Sequence, residues 1–161
     1  YIGEKVTMSD HMIQSAMIAE KKKSSESLIC ACLLHDYGHF ILEDPNQLVK
    51  KKLDGKHEEI GYEYLSKFFK KDVVEPIKFH VKAKRYLARS KKYYNQLSDA
   101  SKISLELQGG ILNTEQSKDF EKIKFFKDAV KLRKYDELAK KTNIKMKSIN
   151  QYENLLHSQL L

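Results

Sequence analysis

Five histidines, His11, His35, His39, His57 and His80, fall on or beside stretches whose apolar spacing marks a buried helix face. Asp36 follows His35 directly inside the run ACLLHDYGHF, and Asp136 lies on a related face near the other end of the chain. A buried imidazole beside a buried carboxylate is costly unless something compensates both. One such histidine is ordinarily a satisfied core residue, but five with two aspartates point to metal ligation. Neutral imidazole and carboxylate suit iron, manganese or zinc. Cys30 and Cys32, spaced C-x-C in an apolar helix, match neither a redox nor a zinc motif. The expected arrangement is His11, His35, Asp36 and Asp136 around one ion, with His57 and His80 around a second and Asp36 bridging. Two cations would offset the carboxylates and keep the imidazoles neutral.

Such ligands need helices to carry them inward, and the chain is patterned for helices throughout. Ser9 is placed to cap a helix bearing Ile13, Ala16 and Met17, and Ser25 one running to Asp36. From His57 the series Ile60, Gly61, Tyr64, Leu65 and Phe68 keeps helical spacing. Pro76 suits a first helical turn, after which Ile77, His80, Val81 and Lys84 share a face. Ser98 or Thr114 can begin further helices, separated by Gly109-Gly110. Phe126, Ala129, Val130 and Arg133 lead on to Asp136 and Lys140, and a last helix carries Ile149, Tyr152, Leu156 and Leu160. The expectation is an all-α bundle of about seven or eight helices. Residues 1–161 would form one domain, with 141–161 a C-terminal helical extension.

Composition narrows the function classes. With 161 residues, two prolines and six glycines the chain is long enough for one ordinary core. No apolar run approaches the ~20 residues of a membrane helix, and the paucity of cysteine fits a reduced, cytoplasmic setting. The net charge of +8 comes mostly from lysine clusters, Lys21 to Lys23, Lys50 to Lys52 and Lys91 to Lys92. They lack the interleaved aromatic residues that stack bases, so a solvated face is expected, with no nucleic-acid or membrane partner.

The order H, HD, H, H, D resembles the HD-domain superfamily, whose all-helical fold binds one or two metals. YIGEKVT, HDYGH, KHEEIG, EPIKFHVKAKRYL, SLELQGG and AVKLRKYDELAK together resemble a narrower group, the phosphonate-oxidising mixed-valent di-iron oxygenases, and more distantly myo-inositol oxygenase. The resemblance runs from Tyr1 to Lys140, and residues 141–161 add nothing to it. It implies two Fe ions in the Fe(II)/Fe(III) state. His11, His35, Asp36 and Asp136 would ligate one, and Asp36, His57 and His80 the other. It further implies that Tyr1 is a gate displaced by substrate, that Glu4 helps recognise substrate, and that O2 and a small 1-hydroxyphosphonate react to give phosphate and a carboxylic acid. The expected substrates are 2-amino-1-hydroxyethylphosphonate or hydroxymethylphosphonate. A trimethylammonium analogue would want an aromatic cage, for which Tyr62, Tyr64 and Tyr86 are the candidates.

Lys84, one turn after His80, and Arg133, three residues before Asp136, are placed to receive a phosphonate. Ser101 is the candidate hydroxyl donor, in competition with Ser98 and Ser104. His39 would stand near the oxygen-binding position or orient a ligand. Lys140 would pair with Asp136. Two rival functions remain at this point, a metal-dependent phosphohydrolase acting on a nucleotide or other phosphate ester and a catalytically silent basic module for nucleic acid. Oligomeric state and what precedes Tyr1 are left open.

Overall fold

The structure, a computed structural model, describes residues 5–42 and 55–161. Among these there are ten α-helices, one short 3-10 turn and no named strand, the lone β-bridge joining Phe69 to Leu160. The all-α expectation is met. No described helix is long and apolar enough to cross a membrane.

Helix α1 is Met8–Lys21 and α2 is Glu26–Leu34. Thr7, not Ser9, caps α1, accepting a hydrogen bond from the Asp10 amide at 3.0 Å. Its extended backbone just outside the helix lets the hydroxyl turn back on the first free amides. Ser25 caps α2 as expected. Leu28 to Leu33 are buried without interruption, so α2 is apolar all round and runs through the middle of the bundle. It stops at Leu34 rather than at Asp36. From there Tyr37 N–H donates to Leu34 C=O and His39 N–H to Asp36 C=O, both at 3.0 Å, tightening the chain into a turn before α3, Gly38–Ile41. The His35-Asp36 pair therefore sits on a corner.

Helix α4 is His57–Leu65 and α5 is Lys71–Leu87. Pro76 lies well inside α5, not in its first turn. The ring removes one amide donor, a loss that a long, heavily packed helix can absorb. His57, Gly61 and Leu65 are buried on α4, whereas Tyr64 and Phe68 are exposed, at 41% and 46%. The stripe read from His57 thus turns outward at its far edge, where Tyr37 stacks on Tyr64 and Tyr64 tilts against Phe68. Gly61 meets Gly38 where α3 crosses α4. A Cβ on Gly38 would lie 1.9 Å from the His57 carbonyl oxygen, so only glycine allows this approach.

The chain continues through α6, Lys91–Gln96, α7, Asp99–Leu107, α8, Thr114–Glu121, and α9, Phe126–Leu138. Ser98 caps α7, and Asn113 caps α8 in a reciprocal capping box with Gln116. Gly109 and Gly110 both have positive φ and break the chain between them. The helices outnumber the seven or eight expected because α3, α6 and the last one are only a turn or so long, too short for a periodic signal.

Packing assembles these pieces around α2. Helix α1 packs on α2 and α9, α5 packs on α2, α4 and α9, and α3 lies on α4. The main core joins Ala16, Ala19, Leu28 to Leu33, Leu65, Val73, Val74, Ile77 and Leu132. A 3-10 turn at Ile149–Tyr152 and a short helix α10, Glu153–Ser158, close the chain. Tyr152 is buried in the main core, its hydroxyl donating to Glu20 at 3.0 Å.

Candidate metal centre

Helices α1, α2, α4, α5 and α9 converge on one buried polar centre. His11 projects from α1, His80 from α5 and Asp136 from α9, while His57 opens α4 and His35-Asp36 occupies the corner after α2. All six side chains are at least nine-tenths buried. His11 Nε2 stands 3.2 Å from His35 Nε2, 3.1 Å from Asp136 Oδ1 and 3.6 Å from Asp36 Oδ2. His35 Nε2 is 3.4 Å from Asp36 Oδ2. On the other side of Asp36, Oδ1 lies 3.3 Å from His57 Nε2 and 3.6 Å from His80 Nε2, and those two nitrogens are 3.1 Å apart. Adjacent ligands about 2.1 Å from a common ion are separated by roughly 3.0–3.4 Å in octahedral or tetrahedral geometry. The spacings are close to those of two cation-binding groups that share one carboxylate, Oδ2 turned to His11 and His35 and Oδ1 to His57 and His80.

Hydrogen bonds on the far side of the rings prepare the nitrogens. His11 Nδ1 lies 2.9 Å from Ala139 C=O, His35 Nδ1 2.9 Å from Cys32 C=O and His80 Nδ1 2.7 Å from Ile77 C=O. A carbonyl only accepts, so each Nδ1 is the donor and the Nε2 of each ring is the nitrogen turned toward the centre, in the tautomer that can ligate a cation. Asp36 Oδ2 and Asp136 Oδ1 are buried with no hydrogen-bond donor. Orphaned carboxylate oxygens facing imidazole lone pairs are what a cation would satisfy, so the donor set fits metal ions.

The electrostatics agree for the two carboxylates and for His57. Burial opposes the charged form of Asp36, yet His35, His57 and His80 hold its pKa well below the carboxylate range. Against the same burial penalty, Arg133 and His11 do so for Asp136. Burial, then His39, push His57 down to about 3, keeping that ring neutral. His35 goes the other way, to about 9, because Asp36 and Asp136 outweigh its burial. His39 stacks on His57 with ring centroids 4.0 Å apart, and its Nδ1 is buried without a hydrogen-bond partner. It is therefore beside the centre, as expected from its spacing.

A cluster of cations and hydroxyls adjoins the centre. Lys84 Nζ donates to Ser104 Oγ at 2.5 Å and Gln108 Oε1 at 2.9 Å. Lys140 Nζ donates to Ser101 Oγ at 2.9 Å, Ser98 Oγ at 3.3 Å and Glu137 Oε1 at 3.2 Å. The expected Lys140–Asp136 pair is replaced by Lys140–Glu137, because Arg133 takes Asp136. Arg133 donates through Nη1 to Asp136, through Nη2 to Glu137 and through Nε to the Tyr93 hydroxyl at 2.9 Å. All three of its nitrogens are engaged, which makes it a brace for Asp136. Burial, then the neighbouring Arg133, lower Lys84 from its ordinary value to about 7.

The expected anion contacts Lys84 and Ser101 fall in this cluster. Tyr93, Gln108 and Glu137 were not read from the sequence as site residues. Glu137, four residues from Arg133, and Gln108, four from Ser104, carried a helical-spacing signal, but Tyr93 on α6 carried none. The proposed cage tyrosines do not gather. Tyr62 donates to Glu75, Tyr64 is exposed, and Tyr86 packs with Phe120 and Phe126. Tyr1, Glu4 and Lys50 to Lys52 lie outside the described residues.

An all-helical bundle with a consecutive His-Asp pair in its buried polar centre points to the HD domain. A sequence model of that family, the HD domain, matches residues 8–118, and the chain belongs to it. The match takes in His11, His35, Asp36, His57 and His80 and ends before Asp136. The chain is 42% identical over 145 residues to [1-hydroxy-2-(trimethylamino)ethyl]phosphonate dioxygenase (glycine-betaine-forming) of Leisingera caerulea, covering 89% of this chain and 74% of that protein. It is 38% identical over 164 residues to hydroxymethylphosphonate dioxygenase of Gimesia maris, covering 99% and 81% respectively. An uncharacterized protein of Acanthamoeba polyphaga mimivirus is 39% identical over 160 residues, covering 97% and 73%. The phosphonate dioxygenases are thus relatives over most of the chain, in line with the resemblance seen in its motifs.

Proposed function

We propose that this protein is a di-iron oxygenase that uses O2 to cleave the carbon–phosphorus bond of a 1-hydroxyphosphonate, releasing phosphate and a carboxylic acid. The observation that carries the reading is Asp36 standing between two buried histidine groups, with a lysine-hydroxyl cluster alongside. Its similarity to two phosphonate dioxygenases supports it. The atoms balance for hydroxymethylphosphonate, which with one O2 yields formate and phosphate.

His11, His35, Asp36 and Asp136 would hold one iron, and Asp36, His57 and His80 the other. Irons held there supply Lewis acidity toward the hydroxyl oxygen and the electrons that O2 chemistry needs. Asp36 would be the residue common to both positions. Arg133 keeps Asp136 ionised and aimed. The carbonyls behind His11, His35 and His80 hold each ring in the ligating tautomer.

Lys84, with Ser104 and Gln108 around its amine, offers the phosphonate a cationic donor and two polar partners, and Ser101 stands on the Lys140 side of the same cluster. His39, flat against His57 and with an unused buried nitrogen, presents a polar atom beside the iron position and helps exclude bulk water. Glu4 and Tyr1 would complete the pocket as recognition and gating residues. A cytoplasmic setting, expected from the reduced Cys30 and Cys32, belongs to the same reading.

The test loads the reduced protein with iron and measures phosphate release from hydroxymethylphosphonate, 2-amino-1-hydroxyethylphosphonate and its trimethylamino analogue, with and without O2. Release that needs O2 is expected, with the first two substrates preferred because Tyr62, Tyr64 and Tyr86 build no cage. Equal release without O2 would identify a phosphohydrolase instead.

A further inference from the structure

A backbone carbonyl stands behind each of His11, His35 and His80, but the three carbonyls are not held alike. His35 and His80 donate to the carbonyls of Cys32 and Ile77, each three residues earlier, so the local turn that carries the ring also carries its partner. His11 donates instead to Ala139, 128 residues away in sequence, where the chain has just left α9. Residues 139–148 belong to no helix, so the place of that carbonyl is not set by a regular element of its own.

Gln14 supplies the missing hold. It lies three residues after His11 on α1, with 3% of its surface exposed. Its Nε2 donates to Lys141 C=O at 2.8 Å, and Lys141 N–H donates to its Oε1 at 3.1 Å. Both ends of the amide are thus spent on the backbone of one residue, the two-way pairing that a neighbouring strand would offer. Helix α1 therefore grips the stretch after α9 twice, by the His11 ring at Ala139 and by Gln14 at Lys141.

We propose that Gln14 is a positioning residue for the metal position of His11. By pinning the backbone at Lys141 it keeps the Ala139 carbonyl against His11 Nδ1, and so keeps Nε2 of that ring aimed at the centre. The inference rests on the proposed ligation by His11. Loss of the hydrogen bond behind a ligating histidine typically costs roughly 10–100-fold in metal affinity.

The test uses the full chain with Gln14→Met, which keeps an unbranched side chain of similar length and deletes both hydrogen bonds. Zinc serves as a diamagnetic metal for proton spectra of the imidazole Nδ1–H groups, and anaerobic iron uptake is followed by metal analysis. In the variant the His11 Nδ1–H is expected to exchange with water about tenfold faster, while those of His35 and His80 keep their wild-type rates. Iron affinity should fall about tenfold at the His11 position and stay unchanged at the His57–His80 position. A folded Gln14→Met whose His11 signal keeps its wild-type rate overturns the proposal. So does equal loosening of all three signals, because Gln14 would then support the bundle as a whole. Should the methionine chain fail to fold, Gln14→Glu carries the same comparison. Its carboxylate still accepts from Lys141 N–H but cannot donate to the carbonyl, so a partial loosening at His11 is expected and an unaltered signal overturns the proposal. A wild-type chain that takes up neither zinc nor iron would instead refute the metal centre itself.

Discussion

Replacing Lys84 by methionine keeps the length of an unbranched side chain and deletes one buried charge. Burial beside Arg133 lowers this lysine from an ordinary 10.5 to about 7. At about 1.4 kcal/mol per tenfold change in proton affinity, keeping it charged in the fold costs on the order of 4–5 kcal/mol below pH 7. Removing the ammonium also strands Ser104 and Gln108, at about 1 kcal/mol for each lost partner. The expected net gain for Lys84→Met is therefore about 2–3 kcal/mol near pH 6.

The sign follows from proton counts. Below about 7 both folded and unfolded chains carry the Lys84 proton, so the full cost is present. Between there and about 10 the unfolded chain binds more protons, and wild-type stability climbs with pH. The advantage of methionine should shrink over that window and reverse near its upper end. Urea unfolding of the metal-free chain at several pH values reads this directly, and iron-loaded Lys84→Met should meanwhile lose most phosphate release, a trade of function against stability. A variant no more stable than wild type at pH 6, or one whose advantage stays constant to pH 10, would refute the reasoning.

On the proposed di-iron reading, Asp36→Ala removes the residue common to both groups and is expected to leave the purified chain with neither metal position at full occupancy, as metal analysis would show, and with no phosphate release. Gly38→Ala forces α3 from α4 at the His57 carbonyl and should cost about 1–3 kcal/mol or more, lowering occupancy at the His57–His80 group before the other; equal loss at both would contradict this. Arg133→Met leaves Asp136 and Glu137 buried without their brace and should cost about 3–5 kcal/mol in urea unfolding.

The candidate centre was legible because residues of these types seldom share a buried face, so the chemistry and spacing of His11, His35-Asp36, His57, His80 and Asp136 pointed to one another before the structure brought them together. Fold class followed from the same helical stripes. Boundaries followed less well. Thr7 outcompetes Ser9 because capping depends on which residue is extended, and Asp36 leaves α2 because i to i+3 bonds tighten the corner, neither of which a hydrophobic period records. The anion cluster was half legible. Lys84 and Ser101 lie one turn from marked positions, whereas Tyr93 reaches Arg133 only through the tertiary placement of α6. For Arg133, spacing alone does not say that Asp136 and Glu137 both engage its guanidinium.

The two histidine groups draw on very different lengths of chain. Asp36, His57 and His80 are all present once a nascent polypeptide has reached residue 80, on segments that pack directly together. His11 and His35 must wait for Asp136, delivered by α9 after several intervening helices. The candidate ligand furthest along the chain is also the residue whose carboxylate lies 3.1 Å from His11, joining the last long helix to the first.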